Sequence, residues 1–463
     1  MPRTPLLILL AVLGFIPPLF FFSVGEEGIY TISSMEMWQS RNWLIETMYG
    51  INLQRPPLMN WLVVGIANLI GWMNVLVAAR LVSVLATLGM VGWLYWLCRR
   101  LFADPAFALF AALSCLTLAD LSLYRGWLAY TDPLFAFFTF GAMATLWVGV
   151  AERKRTWLLA SVLLVSGALL TKAFTAYVFY ATVLLVLALR RESRSFLLSP
   201  ASLLALSSLL VVPALWFGNT HQPGGQSQSM FNEILVKLSA EDWGSYFAHL
   251  FSFPTDTALR MSPAVLLAGY LVLRRRVRVP EAQPEVLRGA LLIALLGFLP
   301  YWLAPHSSIR YLFPIYPLIA LVCARLIWRA EAQELALRWF GALVALKLLF
   351  GLALFPYYQQ QFRGANYVEL ANDLNRQIQG YPLYSRDLRS VSESIVGEMD
   401  AQRLPAPLIM APPAEWNNGF ELAMEPEAGS QVYSKLRVTN DELYLLCRGA
   451  ACGAARTLPK ERY

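Results

Sequence analysis

A chain of 463 residues would ordinarily hold about three soluble domains, yet 57% of it is hydrophobic, 14% is charged and its mean hydropathy is +0.50. Soluble domains carry about 25% charged residues, so an all-α polytopic membrane protein is expected, and a cytosolic enzyme, a secreted disulfide scaffold and a disordered chain are excluded. The net charge of +7 resides in short Arg clusters between apolar runs, the pattern of topology signals, so no nucleic-acid partner is expected.

A spanning helix needs roughly 20 mostly apolar residues. The first such run is Pro5–Val24, behind Arg3. Ser23 and Gly25 loosely mimic a signal-peptide cleavage site, but the length of the run and the spans that follow favour an uncleaved helix. Further spans are expected near Ala78–Leu97, Pro105–Leu123, Asp132–Val150, Trp157–Phe174, Tyr177–Leu189 and Leu198–Phe217. Met261–Leu273, Ala290–Leu303, Tyr311–Trp328 and Trp339–Tyr357 bring the expectation to about eleven. Leu58–Trp72 is shorter and interrupted by Asn60 and Gly65, and is read as interfacial or partly inserted.

Arg99/Arg100, Arg153/Lys154/Arg155, Arg190/Arg191/Arg194, Arg274/Arg275/Arg276/Arg278 and Arg325/Arg329 all fall on the cytoplasmic side only if Leu58–Trp72 does not span. This topology places the segments 25–57, 218–260 and 359–463 outside, on the non-cytoplasmic side. A membrane domain at 1–358 and a small α/β domain at 359–463 are expected. In the latter, Asn366–Gln379 and Val391–Gln402 read as helices, and Pro382–Ser385, Leu408–Met410, Gln431–Leu436 and Glu442–Cys447 as strands. Cys98, Cys115 and Cys323 lie in or beside spans; Cys447 and Cys452 lie outside, where an oxidising compartment favours a disulfide over two free thiols.

Ionisable groups near a membrane are costly and therefore informative. On this topology Glu26 and Glu27, Gln54 and Arg55, Asp120, Arg125, Asp132, Lys172, His306 and Arg310 collect at the outer helix ends. A transporter would gather such groups near the midplane; an outer rim suggests an enzyme at the membrane surface. Bland readings stand beside each. Glu26/Glu27 could cap a surface helix beginning near Ile29, Asp132 before Pro133 could be an N-cap, Asp120 and Arg125 could simply pair, and Lys172 could snorkel to headgroups. Arg80 reads as structural or as a headgroup anchor, and Lys347 near the middle of the last span is unexplained unless it faces a polar cavity. His221, His249 and His306 have no metal-ligand spacing, and His221–Gln228 reads as a flexible lid.

The same residues carry a resemblance. Gly25-Glu26-Glu27-x-x-Tyr30, Arg41-Asn42-Trp43-Leu44, Gln54-Arg55-Pro56-Pro57-x-x-x-Trp61, Ala79-Arg80-Leu81, the Arg125 to Asp132-Pro133-Leu134 turn, Leu170-Thr171-Lys172-Ala173 and Arg310-Tyr311-x-x-Pro314-x-Tyr316-Pro317 occur in this order over about 290 residues. The set is similar to the motifs of membrane glycosyltransferases of the C-type (GT-C) fold, in the branch of lipid A aminoarabinose transferases (ArnT-like) and protein O-mannosyltransferases.

The resemblance implies transfer of a sugar from a polyprenyl-phosphate-linked donor to a lipid A/lipopolysaccharide, other glycan or protein acceptor at the periplasmic face, with membrane lipids as surroundings. It assigns Glu26, Glu27 and Asp132 to catalysis, since a carboxylate must take the acceptor hydroxyl's proton. Arg55, Lys172 and Arg310 are assigned to the donor phosphate, whose charge grows as it leaves. Tyr30, Gln54, Asp120, Arg125, His306 and Tyr311 are further site candidates. The chain departs from the family with Glu26 for Asp, Gln54 for Glu and Arg55 for Lys. Gln54 removes a carboxylate that in relatives helps bind a divalent metal, so the metal expectation stays open. An O-antigen-ligase-like enzyme, a lipid or polysaccharide flippase and a non-catalytic assembly subunit are the competing readings.

Overall fold

The structure, a computed structural model, describes residues 3–172, 174–220, 243–274, 276–277, 279–361, 367–378, 380–438 and 441–453. His221, the expected lid at His221–Gln228, Ala173, Arg275 and Arg278 lie outside the described residues. The helices begin with α1 (Arg3–Leu13), α2 (Glu27–Ser40), α3 (Leu58–Ile70), α4 (Val75–Phe102), α5 (Pro105–Leu116), α6 (Thr131–Ala151), α7 (Arg155–Thr171) and α8 (Thr175–Ala188).

Among the described residues, seven helical stretches are long and apolar enough to cross a membrane: Arg3–Phe20, Trp72–Phe102, Thr131–Ala151, Pro200–Thr220, Pro284–Leu303, Ile309–Arg329 and Gln333–Gln361. Trp243–Arg260 and Ala264–Leu273, bent by 107°, make an eighth if they act as one span. The three other expected spans are the shorter helices α5, α7 and α8, of 12, 17 and 14 residues. The chain is thus a multi-span membrane protein in which seven spans pass the length test, or eight with the bent pair, and α5, α7 and α8 of the expected eleven do not. The 13-residue α3 extends only about 20 Å at 1.5 Å per residue, short of a hydrocarbon core of about 30 Å.

The chain divides into two compact units. One comprises Met1–Ile16, Ser83–Trp127 and Thr131–Leu348; the other comprises Pro17–Val82, Leu128–Tyr130 and Leu349–Tyr463. These units do not coincide with a division at residue 358, because Pro17–Val82 clusters with the C-terminal residues. In the helical unit, α6 and α7 pack along most of their lengths. Lys347, in the Gln333–Leu349 helix, needs no polar cavity: its ammonium donates to the Ala11 carbonyl at 3.0 Å, beside the Phe15 ring.

In the other unit the segment 25–57 is not an open loop. All eleven residues Glu27–Met37 of α2 are buried, and Asn60 of α3 donates to Ser33 and Ser34 at 2.7 and 3.2 Å, so α2 and α3 meet through polar groups. A hairpin follows, β1 (Thr47–Met48) with β2 (Ile51–Asn52), turning through Tyr49 and Gly50 at φ +56° and +74°. Both central turn residues in the left-handed region match the twist of a two-residue hairpin. Glu36 of α2 accepts from the Thr47 hydroxyl at 2.7 Å and the Gly50 amide at 3.2 Å, which ties the hairpin to α2.

The C-terminal residues form the expected small α/β domain. Its sheet has the order β3-β4-β6-β5, from β3 (Leu383–Ser385), β4 (Gly419–Ala423), β5 (Gln431–Val438) and β6 (Asp441–Arg448). β3 and β4 are parallel; β4/β6 and β6/β5 are antiparallel. The helices Tyr367–Gln377 and Ser390–Arg403 pack on each other. One expectation is corrected: Leu408–Met410 contributes only an isolated bridge from Met410 to Tyr384, and the strand lies at Gly419–Ala423. That strand is buried at every position, including Glu421, so it lacks the apolar/polar alternation that marks a half-exposed strand. Cys447 and Cys452 form a disulfide.

Candidate active site

The motif residues resolve into acid–base pairs, and the two units are taken separately. In the unit containing α2, Glu27 and Arg80 are both fully buried. Arg80 forks onto the carboxylate, Nε to Oε1 at 2.9 Å and Nη2 to Oε2 at 2.5 Å. Arg80 also donates to the carbonyls of Pro18, Phe21 and Phe22 at 3.0, 2.6 and 3.0 Å. Glu27 in turn accepts from the amides of Val24 and Ala129, each at 2.8 Å. A buried ion pair is tolerable when its geometry is bidentate and its remaining groups are bonded. Arg80 is therefore structural, and Glu27 is the anchor that fixes the turn before α2.

Glu26, the preceding residue, is not part of that anchor. Its side chain is exposed, at the residue preceding the first turn of α2, while its amide donates to the Tyr130 hydroxyl at 3.1 Å. Tyr30, one helical turn on, is buried with its ring 6.3 Å from that of Tyr130. Gln54 adopts φ +56°, its amide held by Asn52 Oδ1 at 2.7 Å, and this backbone kink delivers Arg55. Partial burial works against the charge on Arg55, but Tyr30, Glu46, Glu26 and Glu393 around it prevail and hold its pKa above the usual arginine value.

Two of those acids escape sequence reasoning. Glu46 is 1% exposed; burial pushes its carboxyl up to about 7, against the pull of Arg55 and a hydrogen bond with Ser33. Glu393, on the Ser390–Arg403 helix, is equally buried. Burial and then the neighbouring Glu26 raise it to about 8, with Arg55 opposing. The only signal for Glu393 is an acid within a run of buried residues, Val391–Gly397. Glu46 follows the Trp43-Leu44 motif, with nothing in its spacing to single it out.

In the helical unit, Asp132 and Lys172 form an ion pair, Asp132 nearly buried and Lys172 about one-quarter exposed. Asp132 stands inside the first turn of α6 rather than at its N-cap, and Lys172, at the C-cap of α7, pairs with it instead of reaching for headgroups. The Lys172 ammonium also lies 4.9 Å from the Tyr311 ring centre, and the Arg310 guanidinium 5.5 Å from the same ring. Two cations thus share one aromatic ring, at distances where cation–π attraction operates.

A second cluster surrounds Asp120. Arg125 lies at 3.1 Å, Arg260 at 3.0 Å, and the Tyr316 hydroxyl donates at 2.8 Å. Asp120 is 5% exposed, so its charge is consumed by these partners and it reads as a structural hub. His306 is exposed, and the His249 ring lies tilted 5.0 Å from that of Phe253. Among the described residues no three His, Cys, Asp or Glu side chains converge to hold a metal, and Gln54 at the loop supplies an amide. The divalent-metal expectation stays untested, and no step is derived through one.

Comparison with known proteins follows this geometry. Residues 54–217 match the family of dolichyl-phosphate-mannose-protein mannosyltransferases. The undecaprenyl phosphate-alpha-4-amino-4-deoxy-L-arabinose arabinosyl transferase of Edwardsiella ictaluri is 27% identical over 71% of this chain and 60% of its own length. The protein of the same description from Pseudomonas paraeruginosa is 28% identical over 73% of this chain and 61% of its own. The chain therefore spans about three-fifths of the length of these curated relatives. The crystal structure of ArnT from Cupriavidus metallidurans bound to undecaprenyl phosphate superposes with a TM-score of 0.71 at 17% identity, over 98% of this chain and 99% of that one. The chain has the ArnT-like GT-C fold, and the resemblance read from its motifs extends to sequence relatives and to a solved structure.

Proposed function

We propose that this chain is a glycosyltransferase that moves a sugar from a polyprenyl-phosphate-linked donor to a lipid A-type envelope acceptor at the periplasmic face of the bacterial inner membrane. The observation that carries the reading is the division of labour at Glu26-Glu27. Glu27 is wholly consumed by Arg80 and two amides, and the rigid turn it creates presents the exposed Glu26. A side chain held by its backbone but open to solvent is placed to meet an incoming hydroxyl. The similarity to the arabinosyl transferases supports the choice of donor and acceptor class.

In this reading the acceptor oxygen attacks the anomeric carbon as the bond to the phosphate oxygen breaks. The hydroxyl proton passes to Glu26, and the electron pair leaves on the polyprenyl phosphate. Fixed cations aimed at developing charge accelerate such a step. Arg55 is the cation beside Glu26, and the motif resemblance assigns the same role to Lys172 and Arg310. Arg forks onto phosphate oxygens, whereas Lys acts as a compact charge.

The test is transfer by purified protein from undecaprenyl-phosphate aminoarabinose to lipid A, followed by mass spectrometry. Glu26→Gln should keep its melting temperature and donor binding but lose transfer, while Glu26→Asp keeps measurable turnover. Lys172→Ala and Arg310→Ala should each cost about a hundredfold in rate, since one preorganised contact to developing charge is worth on the order of 3 kcal/mol. Normal turnover by Glu26→Gln would move the base elsewhere, with Asp132 next to be tested. Lipid movement between leaflets without any transfer would replace the reading with a flippase.

A further inference from the structure

We infer that Glu393, on the Ser390–Arg403 helix of the C-terminal α/β domain, is a positioning residue of the transferase centre, facing Glu26 and Arg55 and holding the Glu26 side chain in its working orientation. The inference rests on the proposed transferase reading and deepens it.

The first support is a close approach between two helices. A Cβ added at Gly28 would lie 2.5 Å from the Glu393 carbonyl carbon and 2.6 Å from its Cβ. At Gly397, one turn further on, a Cβ would lie 2.7 Å from the Thr31 hydroxyl oxygen. Missing side chains on both helices thus let the Ser390–Arg403 helix lie directly against the first turns of α2. Glu393 is delivered two residues from Glu26 by packing, independently of any charge.

The second support is an oxygen without an explanation. Glu393 is 1% exposed, and its Oε2 is buried with no hydrogen-bond partner among the described residues. Buried polar atoms are almost always bonded, and a carboxyl with a purely structural duty would be clamped as Glu27 is. The charged and titratable groups facing Glu393 come from four segments: Glu26 at the start of α2, Arg55 before α3, Asp387 after β3, and Tyr49 in the β1–β2 hairpin. Glu393 is thus one of three carboxyls, with Glu26 and Glu46, around a single arginine.

The protonation follows from that crowding. Burial, then the charge of Glu26, raises Glu393 to about 8, so at pH 7 it carries its proton and offers an O–H. A protonated carboxyl can donate to the Glu26 carboxylate, orienting it without adding a second negative charge beside an anionic donor. The acceptor proton still ends on Glu26, and Glu393 gains and loses nothing in the cycle. As pH rises through about 8 Glu393 ionises, the donated hydrogen bond is lost and two like charges face each other. Transfer efficiency should therefore fall on the alkaline side.

Two readouts on the full chain in lipid nanodiscs test this. Infrared titration of the carboxyl stretch should show a protonated acid at pH 7 that disappears in Glu393→Gln and titrates at lower pH in Glu26→Gln, where the neighbouring charge is gone. The kcat/KM profile for transfer should fall above about pH 8 in the wild type. Glu393→Gln, whose amide still donates, should lower kcat by a few-fold and abolish the alkaline fall; Glu393→Ala should lower kcat further. Equal melting temperatures of wild type and Glu393→Gln keep the comparison free of folding effects. An infrared band unmoved by Glu26→Gln, or an alkaline fall that persists in Glu393→Gln, overturns the inference. A coupled infrared titration in a protein that transfers no sugar would instead overturn the transferase reading while leaving the carboxyl pair standing.

Discussion

Neighbouring residues of one motif have opposite fates. Glu26 and Glu27 share a backbone turn, yet one is exposed and the other is fully buried on Arg80. Removing one member of a buried pair strands the other's charge, at a cost of about 3–5 kcal/mol. Glu27→Ala should therefore lower the melting temperature steeply, with any loss of transfer following the loss of folded protein. Combining Glu27→Ala with Arg80→Ala should cost much less than the sum of the two, because the pair acts as a unit. Additive losses would show that Glu27 has a role separate from Arg80. Side-chain identity alone could not have separated these two acids; only the arginine 53 positions later along the chain decides which of them is consumed.

At the level of elements, legibility follows periodicity. Each long apolar run became a helix, and Pro17-Pro18 turned the end of the first into a short 3-10 turn. The amphipathic tail helices were also legible, close to their final bounds of Tyr367–Gln377 and Ser390–Arg403. Gly419–Ala423 was not, since it is buried on both faces, and neither was the hairpin at Thr47–Asn52, whose strands are two residues long. The contact that brings Glu393 to Glu26 was illegible for a different reason. It depends on Gly28 lying against backbone more than 360 positions away in sequence. Gly28→Ala should test that contact directly: with a Cβ 2.5 Å from the Glu393 backbone, the helices must separate. Overpacking of this kind typically costs about 1–3 kcal/mol. The variant should show a lower melting temperature together with a lower-pH infrared titration of Glu393. Glycine at position 28 would prove dispensable if both readouts matched the wild type.

For the whole molecule, the sidedness of the membrane is decided by parity. The stretch Arg3–Phe20, α4 to α8, Pro200–Thr220, the bent pair, Pro284–Leu303, Ile309–Arg329 and Gln333–Gln361 give an odd number of crossings if each spans once. The 13-residue α3 would make the count even. An odd count would put every dense arginine cluster on the cytoplasmic side and carry the C-terminal domain to the other side, where the Cys447–Cys452 disulfide would suit an oxidising compartment. A reporter active only in the periplasm should therefore give signal when fused after Tyr463 and none when inserted beside Arg153. In intact cells the two cysteines should resist alkylation until a reductant is added. Cytoplasmic signal from the Tyr463 fusion would reverse the parity, place Glu26 and its neighbours where nucleotide sugars are available, and remove the reason for a lipid-linked donor.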